Sequence, residues 1–254
     1  AYTGPHKVVL NRNEPNLGIA GHFNRIMEKA EGEFVVVNAG DDISFPDRTL
    51  ITVTALVEDK TLAYAETHIL RISDDSVPLD EAHVGATKQR YCLDDLINRR
   101  IRFSGAARTY RKSAINGFPP LDPRCPTEDT TGLLRCLLHG DGVVLADTGL
   151  KWRIHSSNMS SSASLKRMPL LDIYSQYKAD VHHVKEAGAL SHRRARQILG
   201  SLAYWIIRRL AAQQDMDLQS TSKKLQVIMT SGWLGFMERI FVLETIILRE
   251  RNVK

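Results

Sequence analysis

Hydrophobic and polar positions alternate in two regimes along the chain. Lys7-Val-Val-Leu-Asn11 and Phe34-Val-Val-Val-Asn38 are short apolar runs of the buried-strand type. Between them Phe23, Ile26, Met27 and Ala30 recur at helical spacing, and Gly32 reads as the stop signal of that helix. Asp42 to Pro46 leads into a second helix over 47–58, with Pro46 near its start, where proline is tolerated. A strand is expected over 62–70, a polar loop at 73–76, a short helix over 93–98 and a strand around 106–111. Residues 127–139 read as a helix whose apolar face is Leu133, Leu134, Leu137 and Leu138, and 143–146 as a further strand. Strands alternating with helices predict an α/β sheet of parallel character.

The second regime follows Ser156 to Ser164, where six serines fall within nine residues, a linker composition. From Pro169 to Arg251 the periodicity is helical. Leu199, Leu202, Ile206 and Leu210 make an apolar stripe with Arg193, Arg194, Arg196, Arg208 and Arg209 around it. The expected division is therefore a sheet-bearing domain over 1–160 and a basic helical region over 161–254.

Charge sharpens that division. The formal net charge is +5, yet residues 1–160 are at −2 and residues 161–254 at +7. A basic half suggests an anionic partner or a solvated helical surface. In the tail, Trp233, Phe236, Ile240, Phe241 and Ile247 with Arg239, Arg249 and Arg251 fit a helical core, a homodimer contact or a peripheral membrane contact with anionic lipid. A nucleic-acid module is the non-enzymatic alternative, but the tail has neither zinc-finger spacing nor interleaved stacking aromatics. With 254 residues, 43% hydrophobic and 25% charged, the chain is long and apolar enough to bury a core. Its longest uncharged apolar stretches are far short of the roughly 20 residues of a membrane span. Ala1 to His6 resembles no signal peptide, and Cys92, Cys125 and Cys136 are scattered like idle thiols, so a cytoplasmic setting is expected.

Three places could carry chemistry. In Asn38-Ala-Gly-Asp-Asp-Ile-Ser-Phe-Pro-Asp47 a strand runs out into two adjacent carboxylates, at the sheet edge where ligands bind in open α/β folds. Such oxygen ligands suit Mg²⁺ or Mn²⁺, although Asp42 could simply cap the next helix. Pro126-Thr-Glu-Asp129 opens a helix, where carboxylates are also favoured by the helix dipole. Arg153-Ile-His155 follows the last strand.

The order of these segments resembles family 2 inverting glycosyltransferases of the GT-A fold. The resemblance rests on Asn16-Leu-Gly-Ile-Ala-Gly-His-Phe-Asn24, on the run from Gly32 to Arg48 that contains Gly-Asp-Asp, and on Ser104-Gly-Ala-Ala-Arg-Thr-Tyr-Arg-Lys-Ser-Ala-Ile-Asn-Gly-Phe118. Thr127-Glu-Asp129 and Lys151-Trp-Arg-Ile-His-Ser-Ser-Asn-Met-Ser160 complete it. It covers about residues 7–160 and implies a three-layer GT-A sheet domain. It further implies a nucleotide-sugar donor, a glycan or lipid-linked acceptor, and a role in bacterial surface polysaccharide synthesis, in the cytoplasm or at the inner face of the membrane.

By residue, the resemblance makes Asp41 the ligand of metal and diphosphate, with Asp42 beside it. Arg153 and His155 fold over the diphosphate, His155 also reaching the metal. Ser104 and Gly105 lie on the acceptor side, and Asp129 is the catalytic base with Glu128 as its neighbour. A carboxylate base is needed because a sugar hydroxyl is a poor nucleophile near neutral pH. The leaving diphosphate needs a cation and basic groups. Two departures stand out. Ala39 occupies the first position of the family's Asp-x-Asp motif, and the two opening strands that hold the nucleoside have no match, so the domain is expected to be incomplete at its amino end. A glycoside hydrolase using Asp41 and Asp129 is the rival chemistry, and it would need no metal.

Overall fold

The computed structural model describes every residue except 1–2, 82–86, 102–104, 217, 219 and 252–254. Its first part is a mixed α/β assembly. Helix α1 (Gly18–Lys29) precedes β1 (Phe34–Val36), β2 (Ile43–Ser44) and α2 (Arg48–Glu58). Then come β3 (Leu62–Ile72), β4 (Gln89–Tyr91), α3 (Leu93–Ile97), β5 (Arg108–Arg111), α4 (Lys112–Asn116), α5 (Asp129–His139) and β6 (Asp141–Arg153). One sheet contains all six strands in the order β1-β5-β3-β6-β2, with β4 also on β6.

Only β3 and β6 are parallel, and the remaining pairings are antiparallel. The sheet is thus mixed rather than dominantly parallel. Because β5 runs against both β1 and β3, the carboxyl ends of β1, β3 and β6 share one edge, and the chain enters β5 from that same edge. Helices cover both faces. Ala55 and Leu56 of α2 bury against Leu62, Ala65, Val143 and Leu145 on one face. Phe23 and Met27 of α1, Ile115 of α4 and Leu133 and Leu137 of α5 bury against Tyr64 and Tyr110 on the other.

Several sequence expectations are corrected. Residues 7–11 form no strand: Val8, Val9 and Leu10 are exposed, Leu10 at 93%, because no described strand lies beside them to accept their backbone bonds. Gly32 does not stop α1, which closes at Ala30 in extended backbone. The strand expected over 143–146 lies in the amino half of a 13-residue strand, β6. Its amino half pairs with β4 and its carboxyl half with β2, while register shifts near Glu66 and His68 let it follow β3 throughout.

Beyond β6 every described element is a helix: α6 (Ser162–Arg167), α7 (Leu170–Glu186), α8 (His192–Gln213), α9 (Thr221–Thr230) and α10 (Phe236–Arg251). Serine hydroxyls of Ser161, Ser191 and Ser220 accept from the backbone N–H three residues on and so start α6, α8 and α9. Their core is Tyr174 and Tyr177 of α7, Leu199, Leu202 and Ile206 of α8, Ile228 of α9 and Val242 and Ile246 of α10. Of the tail residues singled out in the sequence, Phe236, at 78% exposed, and Ile247, also exposed, lie outside this core. Trp233 does enter the core, edge-on to Tyr174 with ring centroids 5.2 Å apart.

Leu134 of α5 belongs to this second core, so α5 joins the two regions. Arg135 on the same helix donates to both carboxylate oxygens of Asp180 on α7 at 2.8 and 2.9 Å, with both side chains buried. No described helix is long and apolar enough to cross a membrane. The cysteines are unpaired, and burial pushes the Cys125 thiol up to about 11 and that of Cys136 up to about 12.

Candidate functional site

The shared strand edge gathers most of the expected residues. Past β1, the chain turns at 39–42 and returns as β2, and this turn carries Asp41 and Asp42. Arg48 locks it from beneath. This fully buried guanidinium donates to Val37 O at 2.5 Å, Asn38 Oδ1 and Ser44 Oγ at 3.0 Å and Ala106 O at 3.4 Å. One side chain thus ties the exit of β1 to the entry of β5.

Asp41 and His155 meet here, with Nε2 2.8 Å from Oδ2. Ser157 Oγ lies 2.8 Å from the other ring nitrogen, Nδ1, so the imidazole is held from both sides. The hydrogen bond with His155 holds the Asp41 carboxyl below the usual carboxylate range. Its side chain remains 40% exposed. Asp42 behaves differently: its Oδ1 accepts from the Arg153 backbone N–H at 2.9 Å, and burial pushes its carboxyl up. It secures the turn and offers less than Asp41 to a ligand.

Arg153 has a role that spacing could not disclose. Its guanidinium donates to the carbonyls of Asp41, Ser73 and Asp74 and to Ser76 Oγ, at 2.5–3.0 Å. The group expected to fold over a diphosphate instead clasps the loops after β1 and β3 together.

The acidic pair at α5 sits on the neighbouring wall. Asp129 Oδ1 accepts from the Thr130 N–H at 2.6 Å and from the Thr127 hydroxyl. Arg108, buried in the sheet, donates to Asp129 O at 2.8 Å while bonding Glu66 at 2.9 and 3.1 Å. Gly105 has φ +64°, a left-handed conformation that suits glycine, and a Cβ there would lie 2.6 Å from Asp129 Oδ2. Gly105 therefore borders the carboxylate directly, whereas Ser104 lies outside the described residues. Burial, followed by the Asp129 charge, pushes the Glu128 carboxyl up, and the Arg108 charge opposes that shift. The two acids face different surroundings.

Continuity between the halves of the site runs through the chain entering β5. Ala106 O is bound by Arg48 under the Asp41 turn, and Gly105 abuts Asp129. No group of three or more His, Cys, Asp or Glu that could hold a metal occurs among the described residues. Asp41 and His155 form a pair only. A hard cation such as Mg²⁺ usually takes one or two carboxylates and completes its shell with water and substrate phosphate, so such a pair fits a cation that arrives with a diphosphate.

Sequence reasoning missed Arg48, Arg108 and Arg135, which are buried yet count as ordinary charges in a composition. The only available signal was their position inside or beside apolar runs. Compared with known proteins, the chain matches no family model and no curated protein.

Proposed function

We propose that the chain carries the catalytic part of a GT-A-like inverting glycosyltransferase, which moves a sugar from a nucleoside diphosphate donor to a hydroxyl of a glycan or lipid-linked acceptor. The observation supporting this reading is the pairing of Asp41 with His155 on the strand edge, one loop away from the carboxylate of Asp129. Asp41 and His155 would hold Mg²⁺ or Mn²⁺ together with the diphosphate oxygens, and the cation would neutralise the charge that develops on the leaving group. Asp129, fixed by Thr127 and the first turn of α5, accepts the proton of the attacking hydroxyl as the new bond forms. Displacement in one step inverts the anomeric centre. Asp42, Arg48 and Arg153 keep the metal-bearing turn in place.

Bacterial surface polysaccharide synthesis in the cytoplasm, at the inner face of the membrane, is the setting that fits such an acceptor. The exposed Phe236 and Met237 of α10 would supply the peripheral contact. The test is Asp41→Asn in the native-length protein, with nucleotide-sugar turnover and Mn²⁺-dependent nucleoside diphosphate binding measured separately. Both should fall sharply while the circular dichroism spectrum stays native. Metal-independent glycoside hydrolysis by the parent protein, or unchanged diphosphate binding by Asp41→Asn, would overturn the assignment.

A further inference from the structure

A cavity of about 500 Å³ opens between α3, α8 and α10, and none of its lining residues belongs to the strand-edge site. Its walls are clamped. Ser201 Oγ of α8 donates to Ile97 O of α3 at 2.6 Å. A Cβ on Gly200 would lie 2.5 Å from Phe241 O, so the backbones of α8 and α10 approach closely there. The Arg196 guanidinium lies over the Phe241 ring, 5.5 Å from its centroid. Arg194 donates to Asp94 Oδ1 at 2.6 Å and to Gln197 Oε1 at 3.3 Å. That neutralises the acid which α3 contributes to the lining and leaves the Gln197 amide nitrogen available.

Three charges remain. Arg193 and Arg196 on α8 and Glu244 on α10 make no side-chain hydrogen bond or ion pair among the described residues, although they line one cavity. Arg193 and Arg196 are three positions apart and so neighbours on one helix face, where like charges repel. The first turn of α8 contains no acid, and the helix dipole disfavours cations at that end. Asp94 relieves Arg194 alone.

We propose that this cavity binds an aminoalkyl phosphate, its phosphate held by Arg193 and Arg196 and its ammonium by Glu244. The inference goes beyond the transferase reading and does not rest on it. Phosphate follows from the donors. One guanidinium fork satisfies a carboxylate, whereas two forks and the Gln197 amide suit the additional oxygens and second charge of a phosphate. The amine follows from Glu244, which would repel a simple anion or a nucleic-acid backbone but attracts an ammonium a few bonds from the phosphate. Three guanidinium groups against two carboxylates leave the lining with a positive excess, and phosphoethanolamine is a net anion near neutral pH. Ile97, Phe241 and Ile247 supply apolar surface for the short alkyl link. Free phosphoethanolamine and the headgroup of phosphatidylethanolamine share this chemistry.

The experiment is calorimetric titration of the intact chain with O-phosphoethanolamine and with inorganic phosphate, at low salt and with EDTA to exclude metal-dependent phosphate binding. Phosphoethanolamine should bind about tenfold more tightly than inorganic phosphate. Arg193→Gln with Arg196→Gln should abolish binding of both. Glu244→Gln should leave inorganic phosphate binding intact and erase the preference. All three positions are exposed, and circular dichroism checks that the variants fold. If the double variant does not, Arg193→Gln alone should weaken phosphoethanolamine binding about tenfold. Glycerophosphoethanolamine, and vesicles of phosphatidylethanolamine in phosphatidylcholine, separate the two sources. Binding of both assigns the cavity to a lipid headgroup, and binding of phosphoethanolamine alone assigns it to a soluble ligand. Four results would each overturn the proposal: no binding of phosphoethanolamine, equal or tighter binding of inorganic phosphate, binding unchanged in the folded arginine variants, or a preference undiminished in Glu244→Gln. Displacement of phosphoethanolamine by a lower concentration of single-stranded oligonucleotide would overturn it in favour of nucleic acid.

Discussion

The Asp41 turn and the Asp129 helix start are both acidic, both at one sheet edge, and built on opposite plans. Asp41 stands in solvent on a turn whose backbone is held by Arg48 and Arg153, and among the described residues its side-chain partner is another candidate ligand, His155. Asp129 is boxed in by a helix N–H, a threonine hydroxyl and Gly105, with Arg108 beneath it and Arg135 farther along the helix. Rigidity is thus distributed unequally between the two acids. A carboxylate that shares a cation with an arriving diphosphate has to remain open, whereas one that accepts a proton works best if its geometry is set in advance.

The comparison can be broken most forcefully at Arg135. Arg135→Met leaves Asp180 buried without its cation and should cost about 3–5 kcal/mol of stability. Chemical denaturation would show the loss, and Arg135→Met with Asp180→Leu should recover most of it. If α5 owes its fixity to this pair, the single variant also loosens Asp129 while the Asp41 turn keeps its diphosphate affinity.

Next in size is the proposed base. On the transferase reading, Asp129→Asn should lower turnover on the order of 10²-fold or more with donor binding retained. Near-normal turnover there, alongside an inactive Glu128→Gln variant, would transfer the role to Glu128. A smaller effect is expected from Gly105→Ala. The left-handed backbone and the contact with Asp129 should together cost about 1–2 kcal/mol, and kcat should fall with donor KM unchanged.

The smallest effect belongs to the open side. The folded-state pKa of Asp41 is depressed, so its contribution to stability is complete above the ordinary carboxylate value and is lost as pH falls through the depressed one. Thermal melts from about pH 5 to about pH 2 should be less steep for Asp41→Asn than for the parent protein. The difference should be under about 1 kcal/mol because the group is partly solvated. A larger slope would mean that this side is as tightly built as the other.

Much of this arrangement was legible in the sequence, and the misreadings have physical causes. Apolar runs bounded by polar turns located β1, β3, α2 and the stripe of α8, because burial imposes the same period wherever it occurs. The identical signal at Val8 to Leu10 misled, since an apolar run records a capacity to pair and says nothing of whether a neighbour is present. Asp41 and Asp129 could be marked as chemical positions from their places at a strand end and a helix start. Their supports could not. Arg153 stapling three carbonyls and Arg48 reaching Ala106 depend on loops that are distant in sequence. On α10, apolar residues surround the helix, so the pattern could not choose between Ile247 and Ile246 for the buried face.

Strand β6 gives the molecule an order of assembly in time. Asp41 meets His155 across 114 residues of chain. At synthesis rates of roughly 5–20 residues per second, the turn bearing Asp41 waits about 6–23 s on the ribosome for its partner. For the first part of that interval β1 waits as well, until its neighbour β5 emerges, and nascent β3 lacks its parallel partner until β6 emerges. The edge that bears Asp41 and His155 is therefore among the last features of the sheet to close. A chaperone that shields β1 and β3 during this wait would raise the yield of folded protein without touching any residue of that edge.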